Sequence, residues 1–460
     1  MTTRREPGSV TGYLPNDVPP PGQIVLLGLQ HVLTMFPATV LVALLVGFDV
    51  GTVLTVSGVA TVTALVLSRL IGGRFIPLYY GSSFSYIAAI LAVTGADFAT
   101  YAGETVRIAQ VGIVATGVIN VAVGFLIRWI GKDNLDKILP PVITGSVAAV
   151  IGIALSAAAL DMAAAHWGVA FITLLVTILF SVYLQNKGFI GLLPVLLGAV
   201  TGYLVSIPFG LIDMAPVADA AWFRIPRFTL PAFTDPRAWS AIATIAVIAV
   251  ATIPESTAHL YQISLYVDEL AVRIGRERYR LSNLIGLNLI LDGIGDLING
   301  MFGGVAGTNY GENNSLMVIT RNYSGPALIA AGILAILLGF VGKLAGLVNT
   351  IPVAVTGGLA IYLFGVIGMQ GVALMMAEKV NLYDPRQLAV GASILIIGIG
   401  GHIGFGGNLP IEFLPSIFPD GLPAIATAAV VGILINAIFL IFRPPEVPVV
   451  TESSEFHVEP

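Results

Sequence analysis

The feature that most constrains this chain is a series of long apolar runs that recur from Gln23 to Phe442 with only short polar breaks. A bilayer core about 30 Å thick is crossed by roughly 20 apolar residues in a helix, and about fourteen such segments can be placed. Charged residues make up 10% of the sequence, against roughly 25% in ordinary globular proteins. The runs lack the strict polar alternation of a porin strand. The sequence therefore predicts an all-α polytopic membrane protein.

Charge and cysteine content exclude several classes of function. The formal net charge is -5, and no basic block with interleaved aromatic residues occurs, so we expect no nucleic-acid partner. The chain has no cysteine, which excludes disulfides and thiolate metal sites. No Walker or dinucleotide-binding motif is present, which argues against nucleotide-driven pumping. We expect neither a cofactor nor a metal ion.

Basic residues are distributed unevenly between alternate loops. With about fourteen spans and a cytosolic N-terminus, 16 of the 21 basic residues fall on the cytosolic side and 5 fall outside. The outer residues are Arg107, Arg224, Arg227, Arg237 and Lys343. Because cytosolic loops are enriched in Lys and Arg, this split predicts that both termini are cytoplasmic. The polar, proline-rich residues 1–22 are expected to form a disordered cytosolic arm, and residues 444–460 a cytosolic tail.

Three short motifs recur in the same order in the two halves of the chain. They are Gln30-His31 with Ala258-His259, Tyr80 to Ser83 with Tyr310 to Asn313, and Pro140 to Gly145 with Pro352 to Gly357. The separation of His31 from His259 along the chain nearly equals that of Tyr80 from Tyr310. Transporters are often built from two inverted halves, so the repeat predicts seven plus seven spans of opposite orientation.

Both Tyr-Gly motifs interrupt the apolar signal. The stretches around Tyr80 and Tyr310 each predict a short extended segment that runs into the start of a helix. Non-helical backbone at membrane depth is tolerated only where it is buried in protein or lines a cavity. Two half-helices that meet at a midplane site satisfy this condition, and their free N-terminal amides can donate hydrogen bonds to a ligand.

Two carboxylates, Glu255 and Glu312, stand within apolar sequence. An ionisable group in a membrane span costs at least about 2.5 kcal/mol, so such groups mark pathways or ligand sites by default. No Arg or Lys lies in the adjoining apolar stretches, which weakens the alternative of a buried ion pair. For Glu312, capping of a half-helix stays open as a structural alternative.

Histidine and aspartate residues complete the set of candidates. His259 lies four residues after Glu255, so both side chains project from one helix face and can relay a proton. A metal site is a weak alternative, because no second His and no H-E-x-x-H pattern accompany them. His31 holds the matching place in the first half, where a satisfied interior histidine is an equally good interpretation. Asp292 and Asp296, one helical turn apart, stay open between a functional and a structural role.

At these residues the sequence resembles the nucleobase-ascorbate transporter family, and in particular its bacterial uracil and pyrimidine permeases. The resemblance runs from Gln30 to Pro444. Its specific parts are Gln30-His31 with Met35 to Val42, Tyr80 to Phe84, Glu255 with His259, and Tyr310 to Asn313 followed by Ile319 to Arg321. It implies a transporter unit over 23–443, with fourteen spans in two inverted repeats, in the cell membrane as a homodimer. It also implies a core domain (about 23–130 and 239–343) and a gate domain (about 138–207 and 345–443).

Carried over by position, the resemblance implies a set of substrate contacts. They are the side chains of Glu255 and Glu312, the backbone around Phe84 and Gly311, and Tyr310 and Ala38 as apolar walls, with Ser83 and His31 as further candidates. His259 takes the place of the histidine associated with proton coupling, beside Glu255. Uracil presents two ring N–H donors and two carbonyl acceptors, which two carboxylates and two backbone amides complement.

Three positions depart from the family pattern. Asn314 and Ser315 follow Tyr-Gly-Glu-Asn where pyrimidine permeases usually have an aliphatic residue and Gly, and Phe364 replaces a tyrosine of the late gate segment. Glu312 favours a pyrimidine, because purine-type members carry a Gln variant of this motif. We therefore expect proton-coupled import of a nucleobase, uracil or a related pyrimidine, by alternating access.

Other functions are weighed against this one. A purine (xanthine or urate) permease and an anion transporter of the same architecture are the alternatives within transport. The two carboxylates argue against an anion transporter, because they oppose the positive ends of the half-helices. An intramembrane enzyme with Glu255 and His259 as acid and base is disfavoured, because no nucleophile or metal set accompanies that pair.

Overall fold

A computed structural model of the chain describes residues 12–130, 140–185, 187–412 and 421–442, together with Pro415 and Phe418. The helices are α1 Pro21–Val46, α2 Val50–Gly72, α3 Ile87–Thr94, α4 Glu104–Ile130, α5 Pro141–Ala154, α6 Ser156–Ala164, α7 Trp167–Tyr183, α8 Pro194–Ser206, α9 Ala215–Asp219, α10 Ala238–Ile245, α11 Ala249–Arg273, α12 Ile285–Phe302, α13 Gly311–Thr320, α14 Gly325–Gly339, α15 Gly342–Asn349, α16 Val353–Ala377, α17 Pro385–Leu395, α18 Gly401–Gly404 and α19 Ala424–Ile441. The strands are β1 Tyr80–Ser82, β2 Gly307–Asn309, β3 Asn408–Leu409 and β4 Leu422–Pro423. Each strand pair, β1 with β2 and β3 with β4, is antiparallel.

The described part of the chain contains nine apolar helical segments long enough to cross a membrane. These are α1, α2, α4, α5 with α6, α10 with α11, α12 with the turn before it, α16, α17 with α18, and α19. Shorter apolar helices cover Phe84–Thr94, Trp167–Tyr183, Pro194–Phe209 and Gly325–Gly339. The predicted multi-pass helical membrane protein is confirmed in this coarser form, whereas the count of fourteen spans and the inverted repeat stay predictions.

Glycine allows close helix packing between α4 and α12. A Cβ atom added to Gly117 would lie 2.7 Å from the Gly293 carbonyl oxygen, and one added to Gly124 would lie 2.7 Å from the Gly286 oxygen. Small residues let helix backbones approach in this way, which substitutes for the missing hydrophobic driving force inside a bilayer. The close approach fixes α12, which carries Asp292 and Asp296, against α4.

The helices pack in two groups. In the first group α2 contacts α12 and α14, α1 contacts α14, and α4 contacts α10 and α12. In the second group α16 lies against α5, α6 and α7, while α17 contacts α5 and α19. Contacts of α11 with α5 join the two groups.

Residues 12–20 are packed rather than free. Leu14 is fully buried, and Tyr13 forms a parallel bridge with Asn322. Arg276 donates to both carboxylate oxygens of Asp17, at 2.7 and 2.8 Å. This segment therefore differs from the disordered arm expected over 1–22, because the Leu14 side chain and the Asp17–Arg276 ion pair hold it against the helices. Residues 1–11 and the expected tail at 444–460 lie outside the described residues.

The long connection between α8 and α10 covers one end of the bundle. Lys343 Nζ donates to the Val217 carbonyl at 2.6 Å, and Ala232 N–H donates to the Arg107 carbonyl at 2.9 Å. Arg224 forms an ion pair with Asp49, the residue that caps α2. Three of the basic residues expected on the outer side thus lie on one face of the molecule.

Candidate functional site

The site is organised by two short strands inside the bundle. Strand β1 pairs with β2 through Tyr80 with Asn309, Gly81 with Thr308, and Ser82 with Gly307. Two further backbone bonds extend the ladder at its ends, from Tyr310 N–H to Tyr79 O at 3.0 Å and from Ser83 N–H to Ala306 O at 2.9 Å. All strand residues are buried, so the pairing satisfies backbone groups that would be costly to leave unpaired in a bilayer.

A short helix begins two residues beyond each strand, as the sequence predicts. A 3-10 turn over Phe84–Tyr86 leads from β1 into α3, and Gly311 begins α13 after β2. Because the strands are antiparallel, the two helices lead away from opposite ends of the ladder. The first amide groups of each helix have no partner within the helix, and they carry the positive end of its dipole.

Tyr310 ties the two broken segments to α1. Its hydroxyl donates to the Ser82 carbonyl at 2.9 Å and lies 2.9 Å from Thr39 Oγ1 on α1. A Cβ atom on Gly81 would overlap the Tyr310 ring, so only glycine fits at that strand position. Tyr310 is 3% exposed. It therefore acts as a structural clamp, and the substrate wall that the resemblance implies at this residue stays a prediction.

Ala38, the other implied wall, lies on α1 directly before Thr39 and is buried. Phe84 is partly buried where the 3-10 turn begins. Ser83 is buried and caps that turn, since its hydroxyl accepts a hydrogen bond from Ser85 N–H at 3.2 Å. The structure thus brings Ala38 and Phe84 to the neighbourhood of the ladder and gives Ser83 a capping role.

Glu255 lies directly after Pro254, a proline inside α11. A proline within a helix has no N–H and disrupts the hydrogen bond to the carbonyl four residues earlier, so the helix is locally weakened here. Glu255 is partly buried, and none of the basic residues that the structure describes pairs with it. Its carboxylate is therefore not committed to an ion pair with any of them.

Glu312 lies in the first turn of α13, and its side chain is exposed. A carboxylate in this position interacts favourably with the helix dipole, so the capping alternative agrees with its location. No ion pair to a described basic residue is present. Exposure nevertheless means that the carboxylate can be reached by a ligand.

His259 connects α11 to the start of α13. Its Nε2 lies 3.2 Å from the position that a Cβ atom on Gly311 would occupy. The Nδ1 atom is buried without a hydrogen-bond partner among the described residues. This contact sets α11, which carries Glu255 and His259, against the start of α13, which carries Gly311 and Glu312.

His31 has a different environment from His259. Asn313 donates its side-chain amide to the His31 carbonyl at 3.1 Å, and the same Nδ2 lies 3.0 Å from His31 Nδ1. His31 is 1% exposed. This geometry matches the satisfied interior histidine that the sequence leaves open, and it fastens α1 to α13.

A layer of polar side chains behind β2 was not singled out from the sequence. Ser256 Oγ accepts hydrogen bonds from Asn309 at 2.6 Å and from Asn288 at 2.9 Å. Tyr80 donates its hydroxyl to Asn288 Oδ1 at 3.1 Å, which links the layer to β1. Asn288, an asparagine within an apolar helix, is the sequence signal that could have predicted this layer, because a buried amide requires hydrogen-bond partners.

The two aspartates left open by the sequence have different surroundings. Asp296 accepts hydrogen bonds from Gly307 N–H at 2.6 Å and from Asn120 Nδ2 at 3.0 Å, so it anchors β2 to α4 and α12. Asp292 is 2% exposed, and neither of its carboxylate oxygens has a partner among the described residues. Asp296 thus has a structural role. Within the described ranges, no group of three or more His, Asp or Glu residues is arranged to hold a metal ion.

Comparison with known sequences gives matches over nearly the whole chain. Residues 22–406 match the permease family. The chain is 35% identical to the uracil permease of Bacillus caldolyticus over 92% of this chain and 93% of the relative. It is 34% identical to the uracil permease of Bacillus subtilis (strain 168) over 92% and 94%. It is 33% identical to the uracil permease of Escherichia coli (strain K12) over 95% and 96%.

Solved structures share the fold at low sequence identity. The transmembrane domain of the cyanobacterium bicarbonate transporter BicA superimposes with a TM-score of 0.56 at 16% identity, over 92% of this chain and 98% of that one. SLC26A9 gives a TM-score of 0.64 at 12% identity, over 91% and 65%. The sequence relatives are named as permeases, which are transporters and not enzymes. The chain therefore belongs to the permease family that contains these relatives, the nucleobase-ascorbate transporter family.

Proposed function

We propose that this protein imports a nucleobase, uracil or a closely related pyrimidine, by proton-coupled symport with alternating access. The observation that carries the proposal is the contact of His259, one helical turn after Glu255 on α11, with Gly311 at the start of α13, the helix that carries Glu312 in its first turn. The names of the sequence relatives, uracil permeases at 33 to 35% identity, support the same substrate class.

The chemistry of the site complements a pyrimidine. The two ring N–H groups of uracil can donate to the carboxylates of Glu255 and Glu312, and its carbonyls can accept from backbone amides near Phe84 and Gly311. Hydrogen bonds to a charged group contribute about 1.5–3 kcal/mol each. Two such bonds favour a ligand with two N–H donors over one that presents only acceptors, such as an inorganic anion.

Proton coupling is assigned to Glu255 and His259. They are one helical turn apart on α11, next to the start of α13. A proton shared by this pair changes the charge that a bound base meets, so proton and base occupancy are linked. The proposal uses no cofactor, because the proton gradient supplies the driving force.

We extend the proposal to the membrane topology. The nine long segments, the four shorter apolar helices and α13 together give fourteen (9 plus 4 plus 1). The contacts of Arg107, Arg224 and Lys343 with one connection favour a common side for these residues. The side opposite to them carries most of the basic residues, so we assign it and both termini to the cytoplasm.

The two groups of helices correspond to the proposed core and gate domains. The core (about 23–130 and 239–343) holds strands β1 and β2 together with Glu255 and Glu312, and the gate (about 138–207 and 345–443) packs against it. We propose that the chain consists of two inverted seven-span repeats and that each repeat contributes helices to both domains. We propose a homodimer in the cell membrane as the functional unit. Alternating access is then a movement of the core against the gate.

Transport by purified protein in liposomes tests the function. Radiolabelled uracil should accumulate when an inward proton gradient is imposed, and an uncoupler should abolish the accumulation. Unlabelled xanthine, urate and bicarbonate serve as competitors in the same assay. Competition by a purine or bicarbonate but not by uracil would overturn the pyrimidine assignment, and uptake indifferent to the gradient would overturn proton coupling.

A further inference from the structure

A pocket of about 540 Å³ lies away from the proposed substrate site, where α2 ends and α12 begins. Its lining includes three arginines, Arg74, Arg278 and Arg280, and one acidic residue, Glu277. The formal charge of these four side chains is +2 (3 minus 1). The pocket is thus a concave basic surface next to membrane-spanning helices.

The loop that carries the arginines is held in one conformation. A single carboxylate oxygen of Asp268, in α11, accepts hydrogen bonds from the N–H groups of Tyr279 at 2.6 Å and Arg280 at 2.9 Å. Ser264 Oγ accepts from Ser282 N–H at 2.9 Å. Arg280 itself has a positive φ of 49°, a conformation that residues other than glycine rarely adopt. A ligand therefore meets a preorganised loop.

The arginine side chains retain free donors. Arg74 donates to the Tyr279 carbonyl and lies over the Tyr279 ring at 6.0 Å, so one edge of its guanidinium is fixed. The guanidinium groups of Arg278 and Arg280 have no partner among the residues that the structure describes, and both residues are exposed. Guanidinium groups bind carboxylate and phosphate with two parallel hydrogen bonds, and a phosphate group has more acceptor oxygens than a carboxylate to offer to three neighbouring arginines.

The surroundings of the pocket are apolar and lie at the membrane boundary. Leu70 and Ile71, in the last turn of α2, are 73% and 56% exposed. Trp129, at the end of α4, is 85% exposed, and the preceding Arg128 packs on Gly286 near the start of α12. Tryptophan is enriched at the level of lipid headgroups, so the start of α12 lies at that level.

We propose that this pocket binds the phosphate of an anionic phospholipid, with the acyl chains along the exposed side chains of α2. Basic pockets between transmembrane helices recognise lipid headgroups in this way. A free phosphate ion shares the headgroup chemistry, but it gains nothing from Leu70 and Ile71. The lipid links α2 to the loop between α11, which carries Glu255 and His259, and α12, which anchors β2 through Asp296.

Lipid binding to the purified full-length protein in detergent tests the proposal. The dissociation constants of phosphatidylglycerol and phosphatidylcholine are measured by native mass spectrometry, and inorganic phosphate is used as a competitor. We expect phosphatidylglycerol to bind at least tenfold more tightly than phosphatidylcholine. The double variant Arg278→Gln/Arg280→Gln should weaken phosphatidylglycerol binding about thirtyfold, because each of the two arginines contributes about fivefold to the affinity for an anionic headgroup. Arg273→Gln is the matched control: Arg273 is exposed in the last turn of α11, pairs with Glu269 and does not line the pocket.

Two outcomes overturn the proposal. The first is a double variant that binds phosphatidylglycerol as the wild-type protein does. The second is displacement of the lipid by millimolar inorganic phosphate, which would make the pocket a site for free anions. If the double variant fails to fold, Glu277→Gln decides the question, because removal of the one acidic side chain among the described lining residues should tighten phosphatidylglycerol binding. Unchanged or weaker binding by Glu277→Gln would reject the assignment.

Discussion

The two broken segments share a backbone plan but differ in what holds them. Strand β1 is anchored by hydroxyls of α2: Ser57 and Thr61 donate to the Tyr80 carbonyl at 2.7 and 3.0 Å. Strand β2 is anchored by a carboxylate, Asp296, which accepts from Gly307 N–H. The helix after β1 begins with uncharged residues, whereas the helix after β2 carries Glu312 in its first turn. The first segment is therefore a neutral scaffold, and the second carries the ionisable chemistry.

The two Tyr-Gly motifs do not occupy structurally equivalent positions in the two segments. Tyr80 is the first residue of β1, but Tyr310 lies after the last residue of β2, at the cap of α13. An alignment of the strands therefore matches Tyr80 with Gly307 and not with Tyr310. By strand and helix position, Ser85 is the counterpart of Glu312. The position that is acidic in the second half-helix is therefore occupied by a neutral residue in the first.

The largest expected effect on base binding comes from the carboxylates. Glu312→Ala and Glu255→Ala should each weaken base binding about a hundredfold, because each removes a charge-assisted hydrogen bond worth about 1.5–3 kcal/mol. Ser85→Ala, at the neutral counterpart position, should change binding less than threefold. Equilibrium binding of radiolabelled uracil measures all three variants. Equal losses of affinity in Ser85→Ala and Glu312→Ala would remove the distinction between the segments. The affinity of Glu312→Gln should lie between those of Ser85→Ala and Glu312→Ala, because an amide retains one acceptor.

The anchors of the two strands should also differ in strength. Asp296→Ala leaves the Gly307 N–H and the Asn120 amide unpaired in a buried layer, which should cost about 2–4 kcal/mol. Ser57→Ala should cost about 1 kcal/mol, since Thr61 still donates to the same carbonyl. Unfolding in detergent, followed by tryptophan fluorescence, gives the two values. A larger loss for Ser57→Ala than for Asp296→Ala would reverse the assignment of anchors.

Glycine in the two strands provides a third test. Gly81→Ala should destabilise the protein by about 1–3 kcal/mol, because the new methyl group overlaps the Tyr310 ring. At Gly307 the nearest atom to an added Cβ is the Gly81 carbonyl oxygen at 3.1 Å, so Gly307→Ala should cost less. The midpoint of thermal unfolding compares them. If Gly81→Ala unfolds at the wild-type temperature, Tyr310 does not clamp the ladder.

The smallest expected effect on binding concerns the two histidines. His259→Ala should lower proton-driven accumulation about five- to tenfold, which corresponds to a coupling free energy at the low end of the typical range. Uracil binding should change by no more than about threefold. His31→Ala removes a partner of Asn313 and should lower stability without changing the pH dependence of uptake. Uptake at several external pH values, with counterflow as the control without a gradient, separates the two. A His259→Ala protein that retains the wild-type response to pH would refute its coupling role.

Local patterns predict the elements of this fold but not how they pair. The extended stretches and half-helix starts follow from interrupted hydrophobicity, and the Glu255–His259 pair follows from its helical spacing. The pairing of Tyr80 with Asn309, and the bond from Asp296 to Gly307, depend on contacts between distant segments that no local pattern specifies. The same holds for residues 12–20, which have the composition of a free arm but are held by Leu14 and Asp17.

The ladder also sets a condition on how the protein is made. Tyr80 pairs with Asn309, which lies in the other half of the chain. Ribosomes add about 5–20 residues per second, so β1 is synthesised roughly 10–50 s before its partner. During that interval its backbone groups have no ladder partner, and unpaired groups in lipid cost several kcal/mol each. The β1 segment must therefore wait at the translocon, at the headgroup level or with a chaperone. Its final placement at membrane depth requires that β2 has been synthesised.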